Sequence, residues 1–570
     1  MEDQNLLKRT VPAFEWLLGY RRDDLKGDLS AGLIVAIMLI PQGMAYAMLA
    51  GLPPVMGLYA STVPLLVYAL FGSCRHLAVG PVAMVSLLVL AGLSPLADPG
   101  SEEYISLALL LSLMVGAIKL VLGIGRMGFL VNFLSPAVIS GFTSAAAIVI
   151  GLSQLSHLLG IPSTGGHSFL HLLQGIGSRI GEVHFPTLAI GLAGVAVLLL
   201  SRQKAPHFPA PLAAVIIGSL LVQTLGLDLQ GVKVVGHVPR GLPVFSIPAW
   251  EPEKLKDLLP IALTILFVSF MESIAVAKMI AAKEKYKVDS NQEFIGLGLA
   301  NFVGSFFLSY PVTGGFSRTA VNYQVGARTG LASMIAAILV ILVLLFLTPL
   351  FYFLPNAVLA AVVVAAVIGL VDVKEARHFF HLKRIDGWTL IATFAATLGL
   401  GSIQGILLGV VLSLLAFIRR SAYPQVVELG YLEKEDVFRN VQRFPDAKVY
   451  PGVILLRVDS SLYFANLEFV RDLLQRKLAA KPEIRRVIID LSSVNDIDAP
   501  AIDALEEIMS RYADQGIRFL FSGMKGPVRD LVARAGWEEK YGEAFRYSSL
   551  QQALKSIQKI TPGERAKSGS

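Results

Sequence analysis

Apolar residues run along this chain in long blocks separated by short polar loops, and the blocks set its architecture. After a polar, charge-mixed stretch over 1–28, fourteen of them follow, at about 30–48, 54–72, 77–93, 104–123, 127–152, 186–201, 209–226, 260–280, 294–309, 312–326, 329–353, 356–372, 387–400 and 402–418. A helix needs about 20 apolar residues to cross a bilayer. Most of the blocks therefore predict spanning helices, while 77–93, 312–326 and 387–400 are too short to span as continuous ones. After Arg419-Arg420 the pattern becomes that of soluble sequence. V-I-L-L-R-V (453–458), R-V-I-I-D-L (486–491) and I-R-F-L-F-S (517–522) predict buried strands. The stretches 467–480, 500–513, 525–535 and 548–557 predict helices, so this part reads as a small α/β domain. The expected organisation is an N-terminal segment (1–28), a membrane domain (29–420), a soluble domain (421–560) and a disordered polar tail (561–570).

One block breaks its own pattern. Residues 310–322, Y-P-V-T-G-G-F-S-R-T-A-V-N, place a proline, two adjacent glycines and an arginine where a membrane helix is expected. A charge at bilayer depth marks a substrate or ion pathway. Irregular backbone there is tolerated only where it lines a cavity or is buried in protein. The stretch reads as a broken helix whose N-terminal end favours an anion through its free N–H groups and dipole.

Composition sharpens this picture. The 570 residues are 54% hydrophobic and only 16% charged, with a mean hydropathy of +0.64, against roughly a quarter charged in soluble domains. The net charge of +7 is spread over short loops, so no nucleic-acid-binding face is expected. The single cysteine, Cys74, excludes an internal disulfide or a Cys-cluster metal site. No cleavable signal peptide is read in the first 28 residues. With the N-terminus in the cytoplasm, the inner loops hold Arg75, Arg126, Arg202 with Lys204, Lys278 through Lys287, Arg328, and Lys374 through Arg384; the outer loops hold Asp98, Glu102 and Glu103 or mixed charge. Both termini are then cytoplasmic.

The chain also echoes itself. Pro81-Val82 opens the third block and Pro311-Val312 the tenth, 230 residues on. The same step carries Gln42 in I-P-Q-G-M-A-Y to Glu272 in F-M-E-S-I-A-V-A; with a step of 220, P-A-V-I from Pro136 returns as N-A-V-L from Asn356. Seven blocks separate each pair, so the halves run in opposite senses. Inverted repeats with paired broken helices point to a binding site at the membrane midplane.

With these residues in hand, the chain resembles the SulP anion permeases, solute carrier family 26 in animals, along nearly its whole length. P-V-M-G-L-Y-A-S-T and F-G-S-C-R (54–62, 71–75) are similar to the family signature, departing from it at Met56 and Cys74. T-G-G-F-S-R-T-A-V-N, M-E-S-I-A-V-A and P-Q-G-M-A-Y are similar to its helix motifs, and the C-terminal domain resembles the STAS domain such permeases carry. The resemblance implies an α-helical polytopic membrane protein with fourteen transmembrane segments in seven-plus-seven inverted repeats. A core domain (helices 1–4 and 8–11) would move against a gate domain (5–7 and 12–14), usually in a homodimer, above a cytoplasmic STAS domain.

In that fold the third and tenth helices are half-helices facing each other across the substrate. The backbone at Val82 and Ala83, and at Phe316 and Ser317, would bind the anion, with the prolines at the helix starts. Ser317 adds a hydroxyl, and Arg318 a fork suited to a tetrahedral oxyanion. A structural Arg318–Glu272 ion pair is the competing reading. Gln42 and Tyr46 lie four apart on one helical face and can donate hydrogen bonds to anion oxygens, or simply link helices. The resemblance likens this pair to that of proton-coupled sulfate-type members. Glu272 beside an anion is repulsive unless protonated or paired, so it is the candidate proton carrier; a permanently ionised partner of Arg318 is the alternative.

Other signals weaken on inspection. G-I-G-R-M-G (123–128) has the spacing of a dinucleotide loop but follows an apolar helix, not a strand. His167 and His171 read as a solvated loop rather than a metal site, and Lys119 as a residue that snorkels to the interface. No cofactor and no enzymatic set of nucleophile and base stands out. In the STAS-like loop 490–502, Asp498 is followed by Ala499, so the serine that bacterial regulators phosphorylate has no counterpart. The expected function is proton-coupled symport of sulfate or a similar oxyanion, at the cell membrane. Transport of bicarbonate, chloride or a dicarboxylate, or an anion channel, are the alternatives.

Overall fold

A computed structural model describes residues 11–129, 135–162, 169–204, 209–249 and 252–564. The chain falls into two compact units, Met1–Leu414 and Leu415–Ser570. Apart from two very short strands and a few 3-10 turns, the first is built of helices. In chain order these are α1 (Ala13–Leu18), α2 (Arg22–Leu49), α3 (Pro54–Tyr59), α4 (Val63–Phe71), β1 (Val79–Gly80), α5 (Ala83–Leu93), α6 (Glu102–Ile124), α7 (Pro136–Leu159), α8 (Phe169–Ser178), α9 (Phe185–Lys204), α10 (Ala210–Leu225), α11 (Pro252–Glu284), α12 (Ser290–Ser305), β2 (Thr313–Gly314), α13 (Phe316–Val325), α14 (Leu331–Phe346), α15 (Asn356–Val367), α16 (Val373–Leu382), α17 (Arg384–Leu400) and α18 (Ser402–Ala422).

The breaks in this series have local causes. The second block splits because the Ser61 and Thr62 hydroxyls donate back to the carbonyls of Gly57 and Tyr59, both at 2.6 Å, and end α3. The third and tenth blocks begin extended, not helical. Their two-residue strands pair antiparallel, Val79 opposite Gly314 and Gly80 opposite Thr313. That pairing satisfies backbone groups which lipid could not. The prolines lie upstream of the helix starts: α5 is capped at Val82 and α13 at Gly315. Neither Pro81 nor Pro311 is therefore the first helical residue that the sequence reading placed there.

Small residues let the helices of this unit approach closely. A Cβ on Gly57 of α3 would fall 1.9 Å from the carbonyl oxygen of Gly43 in α2. This contact seats the family-like signature against the turn that carries Gln42. Two buried acids tie helix ends together. Asp28 of α2 accepts from the backbone of Arg328 (2.7 Å) and Thr329 (3.0 Å) at the start of α14. Glu293 of α12 accepts from the Tyr68 hydroxyl (2.8 Å), from Ser73 through both its N–H and its hydroxyl (2.8 Å each), and from the Cys74 N–H (3.0 Å). The F-G-S-C-R stretch thus wraps a carboxylate. The outward faces stay apolar, for example Ile216, Ile217 and Leu220 on α10 and Leu407, Leu414 and Leu415 on α18.

Some expectations are corrected. The stretch 374–384 is largely an amphipathic helix, α16, whose spread of charges hid it from a search for apolar runs. The fifth helix starts at Pro136, with Ser135 as its cap, rather than near 127. Lys119 does not reach the interface: it is fully buried in α6, and its Nζ has no hydrogen-bond partner among the described residues. His167 lies outside the described residues, as do 565–570 of the expected tail, whereas 561–564 continue a helix.

In the second unit the strands are β3 (Val426–Leu432), β4 (Val437–Asn440), β5 (Val453–Val458), β6 (Arg486–Asp490) and β7 (Arg518–Ser522), in the order β4-β3-β5-β6-β7. The β5, β6 and β7 trio is parallel, and β3 joins antiparallel to β5. Helices α19 (Leu467–Ala480), α20 (Ala499–Ala513), α21 (Gly526–Arg534), α22 (Trp537–Tyr541) and α23 (Leu550–Glu564) complete it. The sequence placed the three parallel strands correctly and missed β3 and β4.

Candidate functional site

The first turns of α5 and α13 leave backbone donors without an intrahelical acceptor. The Val82 carbonyl accepts from Ser86 N–H and the Gly315 carbonyl from Thr319 N–H, each at 3.0 Å. The N–H groups of residues 83–85 and 316–318 precede any intrahelical acceptor. The β1–β2 pair holds the two helix starts together, reinforced by the Gly315 N–H on the Ala78 carbonyl (3.0 Å) and the Ala78 N–H on the Thr319 hydroxyl (3.0 Å).

Side chains that sequence reading did not single out brace β2. Ser273 of α11 accepts from the Gly314 N–H (2.9 Å) and shares a 2.6 Å hydrogen bond with the Thr313 hydroxyl. Asn301 of α12 takes the Val312 N–H (2.8 Å) and donates to the Val312 carbonyl (3.0 Å). On the other side Tyr310 meets Ser86 of α5, hydroxyl to hydroxyl at 3.3 Å. Small polar residues inside apolar blocks were the available signal, but their partners are distant in sequence.

Arg318, third residue of α13, is buried to 1% exposure. Its guanidinium folds back over its own helix cap: a Cβ on Gly315 would come 2.8 Å from Nη2, and one on Gly80 3.5 Å from the same atom. The charge therefore sits beside the crossing of the two strands. Nη1 donates to Gln42 Oε1 at 3.3 Å, while Nε and Nη2 have no hydrogen-bond partner among the described residues. Tyr46, Glu272 and Tyr310 are its near electrostatic neighbours. Among the described ion pairs none joins Arg318 to Glu272, whose Oε2 is also buried with no partner among the described residues. The ion-pair reading is thus not what this conformation adopts.

Glu272 opens instead on a cavity of about 220 Å³, which Met84 of α5 and Phe316 of α13 also line. One space therefore touches the first turns of both half-helices and the acid. The rest of its lining comes from α11, α7, the turn after α15, and α18, through residues such as Phe267, Ile139, Phe142, Thr143, Leu370 and Ile406. Of the expected site residues, Val82 and Ala83 are buried at the start of α5, Phe316 and Ser317 are exposed at the start of α13, and Gln42 and Arg318 are in contact. Tyr46 is buried one turn along α2 from Gln42. The arrangement offers one full positive charge and two helix-end partial charges of about half a unit each, a set suited to a small anion.

Comparison with known proteins bears on this geometry. Residues 25–393 match the model of the sulfate permease family, and 444–553 match the STAS domain. Sulfate transporter 4.1, chloroplastic, of Arabidopsis thaliana is 40% identical over 95% of this chain and 82% of its own. A probable sulfate transporter of Mycobacterium tuberculosis is 35% identical over 95% of this chain and 96% of its own. Among solved structures, the murine Solute Carrier 26 family member A9 anion transporter in the inward-facing state matches with a TM-score of 0.88 at 25% identity, over 96% of this chain and 94% of that one. The transmembrane domain of a cyanobacterium bicarbonate transporter matches in fold, with a TM-score of 0.60 at 24% identity over 70% of this chain and 98% of that one. These relatives are transporters, not enzymes. A helical membrane unit followed by a STAS domain, matched along both parts, means that this chain belongs to the sulfate permease family.

Proposed function

We propose that this protein is a secondary active transporter that carries sulfate, or an oxyanion like it, together with a proton. One observation carries the reading: an arginine and a carboxylate, each buried with side-chain atoms that have no partner among the described residues, lie at one pair of facing helix ends. A divalent tetrahedral anion can take donors from Val82 and Ala83, from Phe316 and Ser317, from Arg318 and, with a modest shift, from Gln42 and Tyr46. An ionised Glu272 would cancel much of that attraction, so the anion favours the protonated acid. Linkage then requires the converse, and anion and proton bind cooperatively. The half-helices and the elements that brace them form the part that moves, against a gate that includes α7, α15 and α18. Basic inner loops support both termini facing the cytoplasm of a cell membrane, and the family resemblance supports a homodimer.

The test is sulfate accumulation in proteoliposomes under an imposed pH step, wild type beside Glu272→Gln. Wild type should accumulate sulfate when the outside is acidic. The amide imitates the protonated acid, so Glu272→Gln should still exchange sulfate but lose the pH-driven accumulation. Equal accumulation by both proteins would refute proton carriage by Glu272 and leave an exchanger or channel in its place.

A further inference from the structure

The first turns of α5 and α13 reach the cavity through Met84 and Phe316, beside Glu272 of α11. Arg318 and Gln42 lie behind these helix starts and do not line the cavity, so a four-oxygen anion bound at the helix ends turns at least one oxygen toward the rest of the lining. Of the described lining residues outside α5, α11 and α13, Ile139 and Phe142 of α7, Leu370 beyond α15 and Ile406 of α18 offer no hydrogen-bond donor. Thr143 of α7 is the exception.

The other hydroxyls within α7 are engaged elsewhere. Ser140 donates to Glu375 Oε2 at 2.7 Å, and Ser144 accepts from the Asp372 N–H at 3.4 Å. Ser153 and Ser156 donate to the carbonyls of Ile150 (2.7 Å) and Ser153 (3.1 Å). These bonds at Ser140 and Ser144 fasten α7 to the start of α16 close to Thr143. It is half-buried and lines the same cavity as Glu272, Met84 and Phe316.

We propose that Thr143 is a specificity-determining residue: its hydroxyl supplies the far-side hydrogen bond that lets the cavity prefer an oxyanion over a halide. This rests on the anion-site reading above. An anion oxygen pressed against a wholly apolar wall would lose hydration without replacement, a cost that a polar partner removes. A site built to hydrogen-bond one substrate group discriminates strongly against molecules lacking that group. A spherical halide can settle against the helix ends and Arg318 and has no distal oxygen to satisfy. Thr143 therefore adds little to its binding.

The experiment is calorimetric titration of purified full-length protein with sodium sulfate and with sodium chloride, for wild type, Thr143→Val, Thr143→Ala and Thr143→Ser. Valine keeps the shape and removes the hydroxyl, alanine repeats the loss without β-branching, and serine restores the donor. A hydrogen bond to a charged group corresponds to roughly a tenfold or greater loss of sulfate affinity in Thr143→Val and Thr143→Ala. Chloride affinity should change far less, and Thr143→Ser should recover most of the sulfate affinity. Sulfate binding within twofold of wild type in both hydroxyl-free variants would overturn the proposal, as would an equal loss for the two anions. Wild-type protein that binds no sulfate at all would overturn the anion-site reading along with it, so the two failures are told apart.

Discussion

Gly315→Ala tests the anion site without removing any polar group. The backbone at Gly315 is extended (φ −87°, ψ 124°), a region open to alanine, so the substitution imposes no conformational strain. Its one consequence is steric. The new methyl would stand 2.8 Å from Nη2 and 2.9 Å from Cζ of Arg318. Contact needs about 3.5 Å, so the guanidinium must retreat by about 0.7 Å. Its hydrogen bond to Gln42 is already long at 3.3 Å and leaves little tolerance for such a move. The same displacement carries the charged fork away from the helix ends. A hydrogen bond to a charged group is worth about 1.5–3 kcal/mol, so sulfate affinity should fall at least about tenfold. The loss of a glycine cap costs the helix at most about 1 kcal/mol, so the protein should remain folded. Sulfate titration of the purified protein, with its thermal midpoint measured alongside, decides the matter. Unchanged affinity in a folded Gly315→Ala protein would refute the placement of Arg318 at the anion. A binding loss that merely tracks a collapsed midpoint would count against it too, because the effect would then be on the fold.

Two further outcomes concern stability. Burying an amine without a partner costs about 1–3 kcal/mol or more, so Lys119→Met should raise the thermal midpoint of the detergent-solubilised protein, and a lowered midpoint would mean that Lys119 has a partner in solution. In the second unit, burial works against ionisation of Glu428, but hydrogen bonds and charge from Lys477 (2.8 Å) and Lys481 (2.7 Å) outweigh it and hold its carboxyl below the usual range. A depressed folded-state pKa gives stability that is present above the unfolded value, about 4.3, and is lost as pH falls through the folded one. Stability of this unit should therefore decline below about pH 4.3 in wild type and much less steeply in Glu428→Gln, followed by hydrogen exchange of β3 and β5 in the full-length chain; identical acid profiles would remove Glu428 from the account.

What could be read in advance depended on the range of the interaction. Apolar blocks report lipid-facing and buried surface directly, and so the membrane helices were legible. Alternation and β-branching likewise placed β5, β6 and β7. Amphipathic α8 and α16 escaped because a helix lying along another surface needs no long apolar run. The broken helices were visible through Pro81, Pro311 and the paired glycines, but their starting residues were not. Those starts are set by β1 pairing with β2 and by Ser273 and Asn301, which meet the strand only in three dimensions. Arg318 declared itself as a charge in an apolar block. That it turns to Gln42 and not to Glu272 follows from its folding back over Gly315, which spacing along a helix does not encode.

The pairing of β1 with β2 also imposes an order on biogenesis. Its partners, Val79 and Gly314, are 235 residues apart. At roughly 5–20 residues per second of synthesis, the first strand waits on the order of ten to fifty seconds for the second to emerge. Through that interval its peptide groups have no partner from their own repeat, and leaving them bare in hydrocarbon would cost several kcal/mol each. The third segment can therefore complete its insertion only late, sheltered until then by the translocation machinery or by water at the membrane surface. Neither strand can be paired until both segments have been made. A ribosome stalled between the two strands would leave a nascent chain that quality control can recognise by its open backbone.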